Sequence, residues 1–219
     1  VVTVDLKDPS GRDQFCTLLR SADVLVENMR PGALERLLGA GAAPVELNPA
    51  LVYCAISGFG VDSAYPGRPA FDTIAQAMCG MMDLTRAGGV PTKAGISAAD
   101  ILGGQVALFA ILCSLRDGSG PSHAGASVDL AMQDVGVWAT YPAWSGQITR
   151  ADHLIVTCPE ADYVAQAPAT TLEAWARQSG LEVLDGCAHC PRPASELTGG
   201  LDTAGVSLTR IRPIADVLR

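Results

Sequence analysis

The sequence predicts an α/β protein in which a parallel sheet forms the larger part and a small α+β unit follows. Two observations carry this prediction. Short runs rich in β-branched residues alternate with longer segments of helical periodicity, and this alternation is typical of βαβ units with parallel strands. After about residue 146 the composition changes, and glycines, prolines and cysteines are scattered. We therefore predict a large domain at residues 1–146 and a partial small domain at residues 147–219.

The first elements predict one βαβ unit. The β-branched run Val1–Leu6 predicts a strand, and Arg12–Arg20 carries apolar residues at helical spacing. Ala22–Glu27 predicts a second, buried strand. Because a helix lies between the two strands, we expect them to run parallel.

Polar and basic residues follow the strand at Ala22–Glu27. Asn28 comes directly after it, and Pro31 suits the first turn of a helix. In open α/β sheets, ligands bind beyond the carboxyl ends of the strands. Asn28, Arg30 and Arg36 are therefore candidates to contact an anionic ligand. A capped surface helix with two solvated arginines explains the same residues equally well.

The rest of the large domain continues the alternation. Leu51–Ser57 predicts a strand that ends at a Gly-Phe-Gly loop, Phe71–Met82 a helix and Ile101–Arg116 a long helix. Ala126–Leu130 predicts another strand, and Ala131–Trp144 a further helix. The Gly-Phe-Gly loop lacks the six-position glycine pattern of a dinucleotide site.

The tail predicts fewer and shorter elements. Ala161–Ala167 and Val206–Ile211 predict strands, whereas Thr170–Gly180 and Ile214–Leu218 predict helices. These elements make the small α+β unit.

The stretch Lys93–Gln105 contains the strongest candidate for chemistry. It brings the Asp100 carboxylate to the start of a helical pattern, and Gly103 and Gly104 follow on the same helix face. Glycine inside a helix costs about 0.5–1 kcal/mol relative to alanine, so two in succession indicate a packing or ligand requirement. Taken alone, the stretch also fits Asp100 as a helix N-cap beside glycines that permit close packing.

Composition limits the classes of partner. The net charge is −8 and the chain has no basic stripe, so we expect no nucleic-acid partner. The apolar stretch Ile101–Leu115 is interrupted by glycines, Gln105 and Ser114, and we expect it to be too short to span a bilayer. Seven cysteines with no recognisable signal peptide fit reduced thiols in a cytoplasmic protein.

A group of cysteines and histidines in the tail raises the alternative of a zinc site. Cys187, His189 and Cys190 lie together, with His153 and Cys158 upstream. Structural zinc sites normally combine two closely spaced ligand pairs at a defined distance, and this chain has one such pair. We therefore expect scattered reduced thiols and no metal.

Five segments resemble the family III, or CaiB/BaiF-type, CoA-transferases. They are ADVLVENMRPGALERL, LNPALVYCAISGFG, RPAFDTIAQAMCGMM, KAGISAADILGGQVALFAIL and ASVDLAMQDV, in the family's order and at its spacing. The resemblance covers about residues 1–145, and pieces of the tail resemble the family's small domain. Formyl-CoA transferase and the carnitine CoA-transferases belong to this family. The alpha-methylacyl-CoA racemases belong to the same superfamily.

The resemblance implies a Rossmann-like parallel sheet with helices on both faces, a small domain and an interlocked homodimer. It implies a CoA-transferase that moves CoA between an acyl-CoA and a carboxylic acid. The CoA thioester is a substrate, and no permanently bound cofactor is implied. Asp100 matches the catalytic aspartate, whose carboxylate would attack the thioester carbonyl, expel the CoA thiolate and form an acyl-aspartyl anhydride.

The same matching gives further candidate residues. Asn28 and Arg36 would contact CoA, Arg36 through phosphate charge. Lys93, Gly103 and Gly104 would line the substrate site, where the glycines would let substrate approach closely.

Phe71 and Asp72 fall where the family has active-site residues. Racemases of the superfamily have a histidine at the position of Phe71, and phenylalanine cannot move a proton. The matching therefore favours a transferase, with an acyl-CoA racemase or isomerase as the alternative.

The chain departs from the family pattern at its ends. Family members are nearly twice this length, and their glycine-rich active-site loop is not recognisable, since Gly199 and Gly200 form only a pair. We therefore expect a chain shortened at both ends. A truncated, non-catalytic CoA-binding or dimerisation domain remains an alternative.

Overall fold

The computed structural model describes residues 1–39, 43–87, 89–117, 124–144, 153–184, 186–198 and 205–217. The chain divides into two compact units. The first unit is Val1–Thr85 with Pro91–Tyr141, and the second unit is Arg86–Val90 with Pro142–Arg219. The predicted boundary at residue 146 and the Gly199-Gly200 pair both lie outside the described residues, so the boundary stays a prediction.

The first unit is built on a parallel sheet of three strands. In chain order its elements are α1 (Pro9–Leu19), β1 (Val24–Glu27), α2 (Ala33–Leu38), α3 (Pro44–Leu47), β2 (Val52–Ser57), α4 (Asp72–Met78), α5 (Met81–Leu84), α6 (Ala98–Asp117), β3 (Ala126–Ala131) and α7 (Met132–Ala139), and α8 (Tyr141–Trp144) begins at its last residue. The strand order is β1-β2-β3, and both pairs are parallel. The parallel sheet predicted from the alternating pattern is confirmed.

Helices contact both faces of this sheet. Helix α6 packs on one face, in a core formed by Val52, Cys54, Ala107, Ile111, Leu130 and Val135. Because side chains alternate along a strand, Tyr53 points to the other face. There its hydroxyl lies 3.5 Å from Glu35 Oε1 of α2. The predicted α/β arrangement therefore follows directly from the burial pattern of β2.

Helix α6 is longer than the apolar stretch that we expected to be too short for a bilayer. Its residues Ala98–Arg116 have a mean hydropathy of 1.8. By length and composition alone, this helix is long and apolar enough to cross a membrane. Core helices of soluble proteins pass the same test. The expectation about length was wrong, and the expectation of no membrane partner stays a prediction.

Three expectations for the first unit are corrected by the structure. The predicted helix Ala131–Trp144 is divided at Thr140 into α7 and α8, and Ala131 ends β3. Val1–Leu6 is not a strand, and Val1 and Val2 are exposed. A β-branched run becomes a strand only where a neighbour pairs with it, and the described residues provide none here. The predicted helix Phe71–Met82 is divided into α4 and α5 because Gly80 takes a left-handed backbone conformation, with φ of 85°.

The second unit is a mixed sheet of five strands with helices. Its elements are β4 (His153–Thr157), β5 (Asp162–Gln166), α9 (Ala169–Gln178), β6 (Val183–Leu184), β7 (Cys187–His189), α10 (Ala194–Thr198), β8 (Ser207–Arg210) and α11 (Ile214–Val217). The strand order is β6-β7-β4-β5-β8, with only the β4–β7 pair parallel. Four of these elements match the predicted ones within three residues. The sequence analysis misses β4, β6, β7 and α10.

Helix α7 passes so close to the end of α4 that glycine is required at Gly136. A Cβ at Gly136 would lie 2.6 Å from Cys79 Sγ and 2.8 Å from Cys79 Cβ. In contrast, a Cβ at Gly104 in α6 would meet nothing within 4 Å.

We expect Gly136→Ala to lower the free energy of unfolding by about 1–3 kcal/mol, because the two helices must separate. Gly104→Ala is the matched control, and we expect it to gain about 0.5–1 kcal/mol from helix propensity. Urea unfolding followed by circular dichroism measures both. Equal stabilities for the two variants would contradict the close contact.

Candidate active site

A cavity of about 260 Å³ opens beyond the carboxyl ends of β1 and β2. It is lined by the residues that follow each strand and by the loop before α4, namely Asn28, Met29, Arg30, Pro31, Ile56, Ser57, Gly58, Phe59, Gly60, Tyr65, Gly67, Arg68, Pro69, Ala70, Phe71 and Met132. This is where open α/β sheets bind ligands. We call it the strand-end pocket.

The loop after β2 is fixed against β3. The Gly60 N–H donates to Ser57 Oγ at 2.9 Å, and the Val61 N–H donates to Asp129 Oδ2 at 2.8 Å. A Cβ at Gly60 would lie 3.2 Å from that same oxygen. Asp129 therefore sets one wall of the strand-end pocket. Sequence analysis missed it, although a carboxylate in the strand run ASVDL is a visible signal.

Arg68 is a cation of the strand-end pocket that is held by aromatic rings. Its guanidinium carbon lies 5.7 Å from the Phe59 ring centroid and 5.6 Å from that of Tyr65, and the two centroids are 5.1 Å apart. Cation–π contacts at exposed sites contribute about 0.5–1 kcal/mol each, so the charge is placed without being neutralised. Sequence analysis missed Arg68, because nothing local to the sequence pairs it with Phe59.

Asp100 lies in the first turn of α6 with an exposed side chain. It is the third residue of the helix, so the alternative that Asp100 is the N-cap is wrong. Asp72 on α4 takes that role instead: its Oδ1 accepts from the N–H of Ala99 at 2.9 Å and of Asp100 at 3.4 Å. Two N–H groups at the start of α6 are thus satisfied by a neighbouring helix. The Asp100 carboxylate is not needed as a cap.

Asp72 is buried, with only 5% of its surface exposed. Its Oδ2 accepts from Gln76 Nε2 at 2.8 Å and forms an ion pair with Lys93 Nζ at 3.0 Å. Burial raises the pKa of the Asp72 carboxyl, but these two partners and the two backbone N–H groups outweigh burial, so the pKa lies below its ordinary value. Asp72 and Lys93, predicted to meet substrate, are here paired with each other.

The pKa of the Asp100 carboxyl is shifted in the opposite direction. Burial raises the pKa of the Asp100 carboxyl, the charge of Asp72 raises it further, and Lys93 acts in the opposite direction. The net effect is a pKa above the ordinary value. A carboxylate with raised proton affinity is more basic and therefore a better nucleophile once ionised.

The other predicted site residues are distributed around this centre. Asn28, Arg30 and Phe71 line the strand-end pocket, and Phe71 is 82% exposed at its edge. Asp72, Lys93 and Asp100 are not part of the pocket lining, and Phe71, which directly precedes Asp72 in sequence, is the lining residue nearest to them along the chain. Arg36 lies on α2 outside the lining of the pocket, and its Nη1 donates to the Pro31 carbonyl at 3.5 Å.

The two glycines after Asp100 differ in their surroundings. Gly103 is buried, and a Cβ there would lie 3.4 Å from Met132 Cγ. Gly104 is exposed and open, with nothing within 4 Å of a Cβ. Gly104 leaves space one turn after Asp100, whereas Gly103 serves the packing of α6.

In the part of the chain that the structure describes, no three or more Cys, His, Asp or Glu side chains come together as a possible metal site. The seven cysteines are all free thiols. The alternative of a zinc site in the tail thus has no support in the geometry, and the expectation of no metal stays a prediction.

Comparison with known proteins agrees with these features. The model of CoA-transferase family III matches residues 1–171. The acetyl-CoA:oxalate CoA-transferase of Acetobacter aceti is 37% identical over 134 residues, which are 61% of this chain and 34% of that protein. The succinate–glutarate CoA-transferase of Agrobacterium fabrum is 36% identical over 135 residues, again 61% of this chain and 34% of that protein. The chain spans about one third of the length of the curated relatives it matches.

Solved structures show the same fold. A CaiB/BaiF family protein from Brucella suis superposes with a TM-score of 0.74 at 23% identity, over 99% of this chain and 67% of that one. A hypothetical protein from Mycobacterium tuberculosis gives a TM-score of 0.72 at 22% identity, over 99% and 68%. Since the family model covers most of the sequence and the fold is shared, this chain belongs to the family III CoA-transferases, the CaiB/BaiF family.

Proposed function

We propose that this chain moves CoA between an acyl-CoA and a carboxylic acid, with Asp100 as the nucleophile. One observation carries the proposal: the Asp100 carboxylate is exposed in the first turn of α6, and its backbone is held by a buried second carboxylate. The side chain is thereby both placed and free to react. The raised pKa of its carboxyl, caused by burial and by Asp72, adds basicity.

The chemistry follows from a carboxylate beside a thioester. Asp100 attacks the thioester carbonyl, the CoA thiolate leaves, and an acyl-aspartyl anhydride forms. The acceptor carboxylate attacks the Asp100 carbonyl of this anhydride and expels the donor acid, which leaves a new anhydride between Asp100 and the acceptor. The CoA thiolate then attacks the acceptor's carbonyl, so that the new thioester forms and the Asp100 carboxylate is restored. A thioester and an anhydride are similarly activated, so covalent catalysis divides the transfer into easier steps without ATP.

Three N–H groups in the first turn of α6 are already engaged and are not available to the developing oxyanion. The N–H groups of Ala99 and Asp100 donate to Asp72, and that of Ile101 donates to the Ser97 carbonyl at 3.0 Å. Lys93 Nζ lies within hydrogen-bond distance of Asp72, Ala94 and Ile96. An oxyanion donor typically contributes about 2.7–4 kcal/mol, so its source is a substantial part of the mechanism.

A racemase is the weaker alternative. Exchange of the proton at the α-carbon requires two acid/base groups, and Phe71, at the edge of the pocket beside Asp72, cannot supply one. A non-catalytic CoA-binding domain is the other alternative, because the chain spans about one third of the length of its curated relatives.

The names of those relatives include acetyl-CoA, oxalate, succinate and glutarate, and we take short carboxylic acids as the first probes. We also propose a cytoplasmic location, in keeping with seven free thiols.

We expect an acyl-CoA with hydroxylamine to give a hydroxamate at Asp100, detected by peptide mass spectrometry. Asp100→Asn removes the nucleophile and is expected to abolish the adduct, with transfer reduced on the order of 10³-fold or more. Asp13→Asn on the exposed face of α1 is the matched control, and we expect it to keep both the adduct and the rate of CoA transfer. Because the pKa of Asp100 is raised, adduct formation is lost on acidification at a higher pH than for an ordinary aspartate.

The outcomes separate the three functions. An adduct that persists in Asp100→Asn would refute the assignment of the nucleophile. CoA binding without any adduct in the unmodified chain would favour the non-catalytic domain. Deuterium exchange at the α-carbon of the acyl group would favour the racemase.

We further propose that Arg68 binds the phosphates of CoA in the strand-end pocket. Its guanidinium lies over the rings of Phe59 and Tyr65, and no acidic side chain among the described residues pairs with it, so its N–H groups are available to phosphate oxygens. Arg36, the arginine assigned to phosphate by resemblance, lies outside the pocket lining. Phosphate binding is therefore assigned to Arg68 by the geometry of the pocket and to Arg36 by the family resemblance.

We expect Arg68→Gln to reduce kcat/KM for an acyl-CoA about 10- to 100-fold, the effect of losing a charge-assisted hydrogen bond of about 1.5–3 kcal/mol. With the N-acetylcysteamine thioester of the same acid, which has no phosphate, the variant is expected to match the unmodified chain. Arg20→Gln, exposed at the end of α1, is the control. An equal loss with both thioesters would contradict phosphate binding by Arg68.

We also propose that a second copy of the chain covers the apolar face of α6 and α7. Phe109 is 70% exposed and Trp138 is 69% exposed, and they border an apolar groove of about 600 Å³ between the two helices. Ile101, Leu108 and Leu112 extend this face along α6. Apolar patches of this kind mark interaction surfaces. The family resemblance supports a homodimer as the occupant.

Light scattering after size-exclusion chromatography is expected to give a dimer for the unmodified chain and a monomer for Phe109→Ser combined with Trp138→Ser. Leu184→Ser, equally exposed but on the second unit, is the control and is expected to remain dimeric. A double variant that stays dimeric would overturn this interface. A monomeric chain that sediments with lipid vesicles would indicate a bilayer as the occupant instead.

A further inference from the structure

Gln76 is a fully buried polar side chain beneath the active-site helix. It lies on α4 with none of its surface exposed. Its Nε2 donates to Asp72 Oδ2 at 2.8 Å and to the Ile96 carbonyl at 3.1 Å, and its Oε1 accepts from the Ala94 N–H at 3.0 Å. A buried amide costs free energy unless it is satisfied. Gln76 meets that condition, and its partners are Asp72, which caps α6, and the segment that precedes α6.

Two paths connect Gln76 to Asp100. The first runs through Asp72. Its Oδ2 accepts a hydrogen bond from Gln76, and its Oδ1 accepts hydrogen bonds from the N–H groups of Ala99 and Asp100. The second runs through the backbone of residues 94–96, which leads into α6. Gln76 therefore fixes both the carboxylate that caps α6 and the segment from which α6 starts.

We infer that Gln76 is a positioning residue for Asp100, acting through Asp72 and through residues 94–96. This inference rests on the proposed role of Asp100 as the nucleophile. Without Gln76, Asp72 Oδ2 keeps only Lys93, whose side chain is 35% exposed and long enough to move. The Asp72 carboxylate could then rotate, and the first turn of α6 would lose its fixed orientation.

The neutral amide also matters electrostatically. The charged groups that act on Asp100 are Asp72 on α4 and Lys93 before α6, and they act in opposite directions. Gln76 holds Asp72 in its ionised form by hydrogen bonding, without bringing a second positive charge to the site. The negative charge of Asp72 beside Asp100 is thereby preserved. An arginine or lysine at position 76 would cancel it.

The test compares Gln76→Met with Gln14→Met. The first change removes three hydrogen bonds at nearly constant side-chain size, and the second makes the same change at an exposed position on α1. We expect hydroxamate formation at Asp100, measured well below the melting temperature, to slow about 10- to 100-fold in Gln76→Met, the effect of a misplaced reacting group. Gln14→Met is expected to react like the unmodified chain.

Asp72→Asn provides a readout that a merely structural role would not move. The variant keeps an oxygen for the Ala99 N–H but removes the charge that raises the pKa of Asp100. The acidic limb of the rate–pH profile of adduct formation is therefore expected to move to lower pH. If Gln76→Met does not fold, Gln76→Asn takes its place: the amide is kept but is one methylene too short to reach Asp72 and residues 94–96 together, so slower adduct formation is again expected.

The outcomes also distinguish this inference from the proposed function. A Gln76→Met rate equal to that of Gln14→Met, or an unmoved acidic limb in Asp72→Asn, would overturn the inference. If the unmodified chain forms no adduct, the proposed function fails. The pKa of Asp100, measured by NMR of carboxyl-labelled aspartate, then tests the inference: it is expected to fall in Gln76→Met, as in Asp72→Asn, and to stay constant in Gln14→Met.

Discussion

A single buried carboxylate organises the candidate site of this protein. An ionised carboxylate removed from water costs several kcal/mol unless it is paired and hydrogen-bonded. Asp72 receives donors from its own helix, from the loop at Lys93 and from the first turn of α6. Because these donors belong to segments far apart in sequence, satisfying one charge fixes three pieces of backbone. The placement of Asp100 is a consequence of that requirement.

The parallel sheet supplies the second half of the site. The strands β1 and β2 end at the same edge, so the segments that follow them must converge there. The Asp129 carboxylate on β3 holds the loop after β2, and Phe59 and Tyr65 hold Arg68 across it. The parallel sheet thus brings the Arg68 cation to the strand-end pocket, while α4 and α6 position the Asp100 carboxylate outside the lining of that pocket.

The part that could be predicted from the sequence is the part encoded locally. The periodicity of α6 and the alternation around β2 predicted the parallel sheet. The glycines after Asp100 marked it as a candidate, and the resemblance to the family gave it the catalytic role. Pairing over long distances was not visible. Val1–Leu6 has strand composition but no pairing strand among the described residues, β6 and β7 are too short to show a period, and the cap on α6 comes from Asp72 on α4. Asp72 was recognised by position, but its role depends on contacts with residues more than twenty positions away.

Helix α6 has to satisfy two demands at once, and its composition reflects both. A helix that is apolar on most of its surface is ordinarily buried on all sides. Here Ala107 and Ile111 are buried against the sheet, whereas Phe109 and Leu112 on the other side are exposed. The sheet alone accounts for the first pair only. The second copy of the chain proposed above would cover the second pair, and it would then contact the same helix whose first turn carries Asp100. A partner that covers α6 would also limit the motion of its first turn, so the proposed assembly and the order of the proposed nucleophile would be physically coupled.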